Sequence, residues 1–162
     1  FFKKKSFHYW FLKKFYCYYR LIKTLYLLTK KTYKTQINVR YSETDSMSFV
    51  HHSNYLKYYE IGRLQWLKNI GYSYKKLESK QIILPLVKTK ITFRKPAFFD
   101  DDLILETTIV KPPSYSIEFN YSIKRNTELI NEGFTKLIFL NSTTKKPVRC
   151  PKNISEKINS FL

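Results

Sequence analysis

The sequence contains few of the residues that mark flexible, repetitive or disulfide-linked chains. Its 162 residues include three glycines, six prolines and two cysteines. This scarcity argues against a low-complexity chain, and no internal repeat indicates a solenoid. Cys17 and Cys150 lie far apart, without the C-x-x-C spacing of metal or redox sites. We therefore expect neither a disulfide framework nor a bound metal, and a reducing compartment is the default.

Several functional signatures are also missing. The sequence holds no glycine-rich phosphate loop, no G-x-S-x-G nucleophile elbow and no H-E-x-x-H zinc helix. Helix-turn-helix, zinc-finger and aromatic ribonucleoprotein signatures are absent too, so the net charge of +18 alone does not predict nucleic-acid binding. A basic chain of this kind instead suits an anionic ligand, such as a nucleotide phosphate, or an acidic partner.

Acidic residues are absent from residues 1–36, which contain ten lysines or arginines. If helical, this segment places many basic residues on one face and aromatic residues largely on the other, as in a helix that lies on an anionic membrane surface. A membrane span is disfavoured, because charges interrupt every apolar run well short of the roughly 18–20 residues required. The N-terminal extension, set at residues 1–34, thus leaves peripheral membrane contact, targeting to an organelle and a segment outside the fold as alternatives.

The pattern changes near Thr35 and predicts a single domain that extends to residue 148. Thr35–Tyr41 alternates as a first strand and precedes a long helix. Further strands are predicted over residues 82–93, 103–110, 115–124 and 129–141, with a short helix over 73–79. The tail over 149–162 is polar, and its end allows a short helix. One long helix against about five antiparallel strands indicates an α+β fold with the helix packed on one face of the sheet.

The long helix carries its own boundary signals. Ser53 and Asn54 predict the N-cap, the helix extends to about Asn69, and Gly71 is placed to end it. Gly62, in the middle of this helix, costs about 1 kcal/mol relative to alanine. A close approach to a sheet or to a partner helix is the expected compensation.

The stretch between the first strand and the long helix gathers the most reactive groups. Asp45 follows the strand, and His51 and His52 precede the helix. Unpaired N–H groups at a helix N-terminus can polarise a carbonyl, and a nearby carboxylate can act as general base or as nucleophile. From composition alone, Asp45 more commonly only shapes an Asx-turn. Two adjacent histidines do not have a familiar metal-ligand spacing.

The order of the residues in this stretch is more informative than its composition. Residues 39–56, VRYSETDSMSFVHHSNYL, resemble the signature of hotdog-fold acyl-CoA thioesterases, in the branch of 4-hydroxybenzoyl-CoA thioesterase and the bacterial Tol-Pal-associated thioesterase. The similarity continues through EIGR at residues 60–63 and PAFFDD at residues 96–101. In all it covers roughly residues 35–148, as a hotdog domain.

The resemblance implies a five-stranded antiparallel sheet wrapped around one long helix. It implies hydrolysis of an acyl-CoA thioester with no cofactor, in a homodimer or tetramer whose active sites lie at the subunit interface. A cytoplasmic location is expected unless residues 1–36 act in targeting. An acyl-carrier-protein thioesterase and a non-catalytic hotdog module that binds a ligand are the alternatives.

The resemblance also assigns roles to single residues. Asp45 matches the catalytic carboxylate, His52 matches the residue whose backbone N–H polarises the thioester carbonyl, and Tyr41 matches a further site residue. The other expected substrate contacts are Val50, His51, Asn54 and Tyr55, with Lys90, Arg94 and Lys95 as candidates for the CoA phosphates. Ser48 departs from the family, which usually has glycine there. If that position requires a positive φ, the serine is strained.

Overall fold

A computed structural model describes residues 32–160 of the chain. The predicted N-terminal extension lies outside the described residues as far as residue 31. Thr32 already belongs to the first strand, β1 (Thr32–Asn38), which begins and ends three residues before its predicted bounds. The predicted strand end is wrong because Tyr41–Glu43 form a 3-10 turn. Tyr41 therefore leaves the sheet, with 76% of its surface exposed.

The remaining elements confirm the predicted order of one long helix followed by antiparallel strands. In chain order they are α1 (Asn54–Asn69), α2 (Tyr74–Glu78), β2 (Ile82–Ile83), β3 (Leu86–Phe93), β4 (Asp102–Ile109), β5 (Ser116–Arg125), β6 (Glu128–Ile138), β7 (Leu140–Asn141) and α3 (Lys152–Asn159). Pro85 divides the predicted strand over residues 82–93 into β2 and β3, because proline cannot donate to a strand ladder.

Five strands form one antiparallel sheet in the order β1-β4-β5-β6-β3, while β2 and β7 pair separately. The hairpin between β5 and β6 turns through Asn126 and Thr127, and Asn126 has a φ of 55°. Arg125 and Glu128 are the closing pair of this two-residue turn. Within residues 32–160, β1 and β3 are the edge strands, and the outer edge of β3 is unpaired. Its last residue, Phe93, contacts Tyr55 at the start of α1.

One face of the sheet packs on α1. Residues alternate along β5, so that Phe119 and Tyr121 are buried toward the helix. The ring of Tyr59 stacks on Tyr121 at 4.3 Å between centroids, and Trp66 meets Phe119 edge-on at 5.3 Å. Tyr59 also donates a hydrogen bond to Asn131 and lies where a side chain at Gly133 would project. The helix therefore seats on the sheet through large aromatic rings.

Close approach at Gly62 confirms the expectation for a mid-helix glycine. A Cβ atom at this position would lie 2.5 Å from Thr107 Oγ1 and 2.6 Å from Leu105 Cδ2, both on β4. Those separations are too short for any side chain. The glycine thus gives up helix propensity for contact between α1 and the sheet.

The C-terminus of α1 confirms the role predicted for Gly71, which has a φ of 77°. Its N–H donates to the carbonyl of Lys68 at 2.8 Å, and the N–H of Tyr72 donates to the carbonyl of Leu67 at 3.0 Å. These two bonds form a Schellman motif. Tyr72 and Leu67 are both buried, as is usual for the hydrophobic pair of this motif.

The segment expected to be a polar tail contributes to the core. Ile154 and Ile158 of α3 are fully buried in the main hydrophobic cluster. Their four-residue spacing places both on one helix face, and the intervening polar residues face solvent. The domain therefore extends through α3. Within residues 32–160, no helix has the length and apolar character needed to cross a membrane.

Candidate active site

A tight hairpin, Thr44–Val50, carries the candidate catalytic carboxylate and is called the active-site loop here. Thr44 and Val50 form an isolated bridge at its base. Inside the loop, the N–H of Asp45 donates to Phe49 O at 3.0 Å, and the N–H of Ser48 donates to Asp45 O at 2.9 Å. The loop is thus closed by its own backbone.

Asp45 is half-buried and adopts the Asx-turn that its sequence position allows. Its Oδ1 accepts the backbone N–H of Met47 at 2.8 Å. Within the part of the chain that the structure describes, no donor meets its second oxygen, Oδ2. The same carboxylate is therefore anchored through one oxygen and available for chemistry through the other.

Ser48 has a φ of 63°, in the left-handed region that glycine adopts without strain. The serine that stands in place of the family's usual glycine therefore has the positive φ at which strain was expected. A non-glycine residue in this conformation costs roughly 1–2 kcal/mol. The active-site loop nevertheless closes, since the Ser48 N–H makes its turn bond to Asp45.

Ser53 is the N-cap residue of α1, as predicted, but the side-chain capping bond expected from Ser53 and Asn54 is not made. Ser53 has helical dihedrals, and its side chain makes no capping bond. Its hydroxyl lies 2.8 Å from Nδ1 of His51, whose carbonyl accepts the N–H of Asn54 at 3.0 Å. Between residues 32 and 160, the backbone N–H of His52 has no acceptor. Within these residues, one backbone N–H group is thus left free beside the helix.

Glu43, which the sequence did not single out, is the buried acid beneath this site, with 4% of its surface exposed. Its carboxylate accepts the Arg40 N–H at 2.9 Å, two guanidinium N–H groups of Arg40 at 2.7 and 3.1 Å, and the Tyr58 hydroxyl at 2.8 Å. Its carbonyl accepts the His51 N–H at 2.9 Å and the Asn54 side-chain amide at 2.8 Å. The only signal in the sequence was the three-residue spacing from Arg40.

Charge at Glu43 is stabilised by these donors. Burial acts to raise the pKa of the Glu43 carboxyl, but the hydrogen bonds from Arg40 and Tyr58 outweigh it and the pKa lies below its ordinary value. Burial and the bond to the carboxylate raise the pKa of the Tyr58 hydroxyl. Glu43 is therefore an anion and Tyr58 a neutral donor at neutral pH.

A cavity of about 400 Å³ opens beside the active-site loop and the start of α1. Six of the residues predicted for the site line it: Asp45, Val50, His52, Tyr55, Arg94 and Lys95. Four residues that the sequence did not indicate complete the wall: Met47, Phe49, Phe93 and Pro96. All four side chains are apolar, so the cavity combines one carboxylate, one helix end and a largely apolar lining.

The other four predicted residues lie off this cavity. Tyr41 is exposed, with its ring edge-on to Phe99 at 5.5 Å. The His51 ring lies 4.0 Å from that of His52, and Asn54 is buried against Glu43. Lys90 lines a separate polar cleft of about 520 Å³ on the opposite face of the sheet. Arg94 borders both the cleft and the cavity.

The loop between β3 and β4 supports the active-site loop from the other side. The N–H of Val50 donates to Ala97 O at 2.8 Å, and Phe49 pairs with Phe98. Asp101 accepts the N–H of Phe98 and a guanidinium N–H of Arg125, each at 2.7 Å. The Asp101–Arg125 ion pair thus holds the backbone of Phe98, which in turn pairs with Phe49 at the cavity.

The cations at the cavity mouth are already paired with acids. Arg94 donates to Glu132 at 2.8 Å, and Lys95 to Glu128 at 2.5 Å. Both cations are more than half exposed, so these pairs are open to exchange with other anions. Tyr55, in contrast, is buried and meets the Phe93 ring edge-on at 5.2 Å.

Known proteins resemble the chain in sequence and in fold. The family model of the thioesterase-like superfamily matches residues 39–158. YneP of Bacillus subtilis, provisionally named an acyl-CoA thioesterase, is 31% identical over 120 residues, which cover 74% of this chain and 87% of YneP. Acyl-CoA thioesterase YbgC of Haemophilus influenzae is 29% identical, over 73% of this chain and 88% of its own.

A crystal structure of DHNA-CoA thioesterase from Staphylococcus aureus has a TM-score of 0.75 and 28% identity, and covers 80% of this chain and 92% of its own. The hotdog fold implied by the signature is therefore confirmed, with its sheet order and central helix. The family match reaches residue 158, so it includes α3 as well as the active-site loop. On this match, the chain belongs to the thioesterase-like superfamily.

Proposed function

We propose that this protein hydrolyses acyl-CoA thioesters to a free carboxylic acid and CoA. The observation that carries the proposal is the meeting of two groups at one cavity. The unbonded oxygen of Asp45 and the free N–H of His52 both belong to residues that line it. The names of the relatives YneP and YbgC support acyl-CoA as the substrate class.

The chemistry needs little beyond these two groups. The His52 N–H and the electropositive end of α1 polarise the thioester carbonyl and stabilise the oxyanion that forms. Asp45 either removes a proton from an attacking water or attacks the carbonyl carbon itself, with water then releasing the acid. The C–S bond breaks to give the CoA thiolate. A thiol with a pKa of about 8.5 departs readily without a strong general acid, and no cofactor takes part.

The lining of the cavity suggests how the substrate lies. Met47, Phe49 and Phe93 offer apolar surface for the acyl group next to Asp45. Arg94 and Lys95 at the mouth suit the CoA phosphates, because their exposed ion pairs can exchange for phosphate oxygens. Lys90, on the cleft of the opposite face, is the weakest of the three candidates.

The active assembly is a homodimer or a tetramer in this proposal. β3 is an edge strand, and Leu86, Val87 and Phe93 on it are 41%, 50% and 52% exposed. An exposed edge with large apolar side chains favours pairing with another strand. Phe93 also lines the cavity, so a second copy on this edge would help to enclose the substrate. Light scattering on the full chain tests this, and a monomer at micromolar concentration would contradict it.

A panel of acyl-CoA substrates tests the reaction, with wild type beside Asp45→Asn and Glu60→Gln. Glu60 is the matched control, because it is a carboxylate of α1 that is exposed, paired with Arg63 at 2.7 Å, and outside the cavity. We expect kcat to fall at least about 100-fold for Asp45→Asn, in the range typical of lost acid–base catalysis. Glu60→Gln should retain wild-type kcat.

Three results would contradict the proposal. Full activity in Asp45→Asn would remove the assigned base or nucleophile, and a loss in Glu60→Gln would point to that carboxylate instead. Tight binding of CoA esters with turnover of none would favour a ligand-binding module. The strained φ of Ser48 is the observation that supports this second function, because it lies in the loop that carries Asp45, at a position where the family signature usually has glycine.

A further inference from the structure

We propose that Glu43 is the positioning residue that sets Asp45 and the His52 N–H in register with each other. The inference deepens the proposed thioesterase function and rests on it. Glu43 does not line the cavity, so its action is indirect. It holds the two chain segments from which the reacting groups project.

The first step is the carboxylate. Its oxygens receive donors from two elements, since Arg40 follows β1 and Tyr58 lies in the second turn of α1. Oε2 accepts the Arg40 N–H and the Tyr58 hydroxyl, while Oε1 accepts two guanidinium N–H groups. The side chain therefore locks the end of β1 to the start of the helix.

The second step is the backbone carbonyl of the same residue. It accepts the His51 N–H, at the far end of the active-site loop, and the Asn54 side-chain amide, in the first turn of α1. The Thr44–Val50 loop thus leaves from Glu43 and returns to it. Asp45 lies two residues after this junction, and His52 follows directly on His51. A shift of Glu43 would move both reacting groups at once.

The third step is that glutamine cannot accept all the hydrogen bonds that the Glu43 carboxylate accepts. The side-chain amide of glutamine has one acceptor and one donor group, so in either orientation its NH2 would face at least one N–H of Arg40, which cannot accept a hydrogen bond. A buried donor that loses its acceptor is costly, so the junction would rearrange rather than accept the clash. Because a misplacement of about 1 Å can cost about 100-fold in rate, the effect should appear in kcat.

Glu118 provides a matched control. It is also buried, with 7% of its surface exposed, and it accepts Lys136 at 3.1 Å and Lys111 at 3.2 Å. Burial would raise the pKa of its carboxyl, but the two lysines hold the pKa below its ordinary value, as the donors do at Glu43. It lies on β5, and it lines neither the cavity nor the active-site loop.

The test compares Glu43→Gln, Tyr58→Phe and Glu118→Gln in the full-length protein, with kcat, KM and thermal stability measured for each. For Glu43→Gln we expect kcat to fall about 10–100-fold with KM within about threefold, since binding surfaces are kept while geometry is lost. Tyr58→Phe removes one donor and should give a smaller loss of kcat. It also serves if Glu43→Gln fails to fold. Glu118→Gln should leave kcat within about twofold of wild type at a similar cost in stability.

A spectroscopic signature separates positioning from general destabilisation. The carbonyl stretch of an acyl-CoA bound to Asp45→Asn, followed by difference Raman spectroscopy, reports polarisation by the helix end. It should lie below the frequency of the free ester, and the shift should shrink when Glu43→Gln is added but not when Glu118→Gln is added.

The outcomes are distinct. If wild type hydrolyses the panel and both Glu43→Gln and Tyr58→Phe are equally active, the positioning role of Glu43 is overturned and the proposed function is kept. An equal loss of kcat in Glu43→Gln and Glu118→Gln would also overturn it, because it would show a general effect of stability. A wild type inactive on every acyl-CoA would overturn the proposed function, and the role of Glu43 with it.

Discussion

The two ends of α1 are built in opposite ways. At the C-terminus, Gly71 takes the left-handed conformation, and the N–H groups of Gly71 and Tyr72 satisfy the carbonyls of Lys68 and Leu67. At the N-terminus, the Ser53 hydroxyl turns to His51 rather than to the helix. The C-terminus thus has the paired bonds of a Schellman motif, whereas the N-terminus has no side-chain capping bond.

This difference shows that the C-terminal end of α1 is built for stability, whereas the N-terminal end lacks a side-chain cap. The closed end follows rules that a few neighbouring residues can satisfy. The open end keeps an unpaired N–H and a left-handed serine, and both are unfavourable in isolation. The hydrogen bonds of Glu43 offset this cost. They join the end of β1 to α1, with partners up to 15 positions away in the sequence. Substitutions of the reacting groups at the open end should therefore change the rate, whereas a substitution at the closed end should change stability alone.

The largest effect is expected from His52→Pro, which removes the free N–H without breaking any internal bond between residues 32 and 160. Loss of one oxyanion donor typically lowers kcat about 100–1,000-fold. His52→Ala keeps the N–H and should lose much less. Steady-state kinetics with thermal melts as a folding control measure both variants. Equal losses in the two variants would assign the effect to the imidazole.

Acid should weaken the junction at the open end. The pKa of Glu43 is lowered in the folded state, so its stabilisation is fully present above the unfolded pKa and is lost as pH falls through the folded pKa. Wild type should exceed Glu43→Gln by about 2 kcal/mol in free energy of unfolding near neutral pH, the worth of charge-assisted bonds. Urea titrations at a series of pH values should show the gap closing in acid. A gap independent of pH would mean that the charge contributes nothing.

At the closed end, Gly71→Ala should cost stability alone. An alanine at a φ of 77° loses roughly 1–2 kcal/mol. Its Cβ would also lie 2.9 Å from the Lys157 Nζ, a flexible group that can move away. We expect a lower melting temperature with kcat unchanged for the folded protein. A loss of kcat at full stability would show that the two ends of α1 are coupled.

The smallest effect is expected from Ser48→Gly, which restores the residue that the family usually has. Relief of the left-handed conformation should raise the free energy of unfolding by up to about 1 kcal/mol, part of which the greater freedom of glycine in the unfolded chain offsets. Chemical denaturation measures this gain. A decrease in stability would show that the serine side chain supports the loop.

Local rules in the sequence were enough to predict the long helix and its end. The start of α1 was placed within one residue and Gly71 was assigned correctly, because these depend on neighbouring residues. β1 was placed three residues late, since alternation continues across Val39 and Tyr41 although the chain has already left the sheet. The burial of α3 was missed, although the spacing of Ile154 and Ile158 already indicated an apolar face.

The site was predictable mainly through the family signature. Asp45 in an Asx-turn has the same local pattern whether or not it is reactive, so composition could not decide its role. Glu43 was missed because its partners Asn54 and Tyr58 become neighbours only after folding. Lys90 was grouped with Arg94 by charge, but Lys90 faces the cleft on the opposite side of the sheet from Asp45.

The contact between Tyr59 and Gly133 has a consequence for the history of the family. The tyrosine ring fills the volume that any side chain at position 133 would need, while it stacks on Tyr121. Position 133 can therefore gain a side chain only if the residue at position 59 becomes smaller. Aligned homologues should show this trade as covariation between helix and sheet, at a point that touches no reacting group.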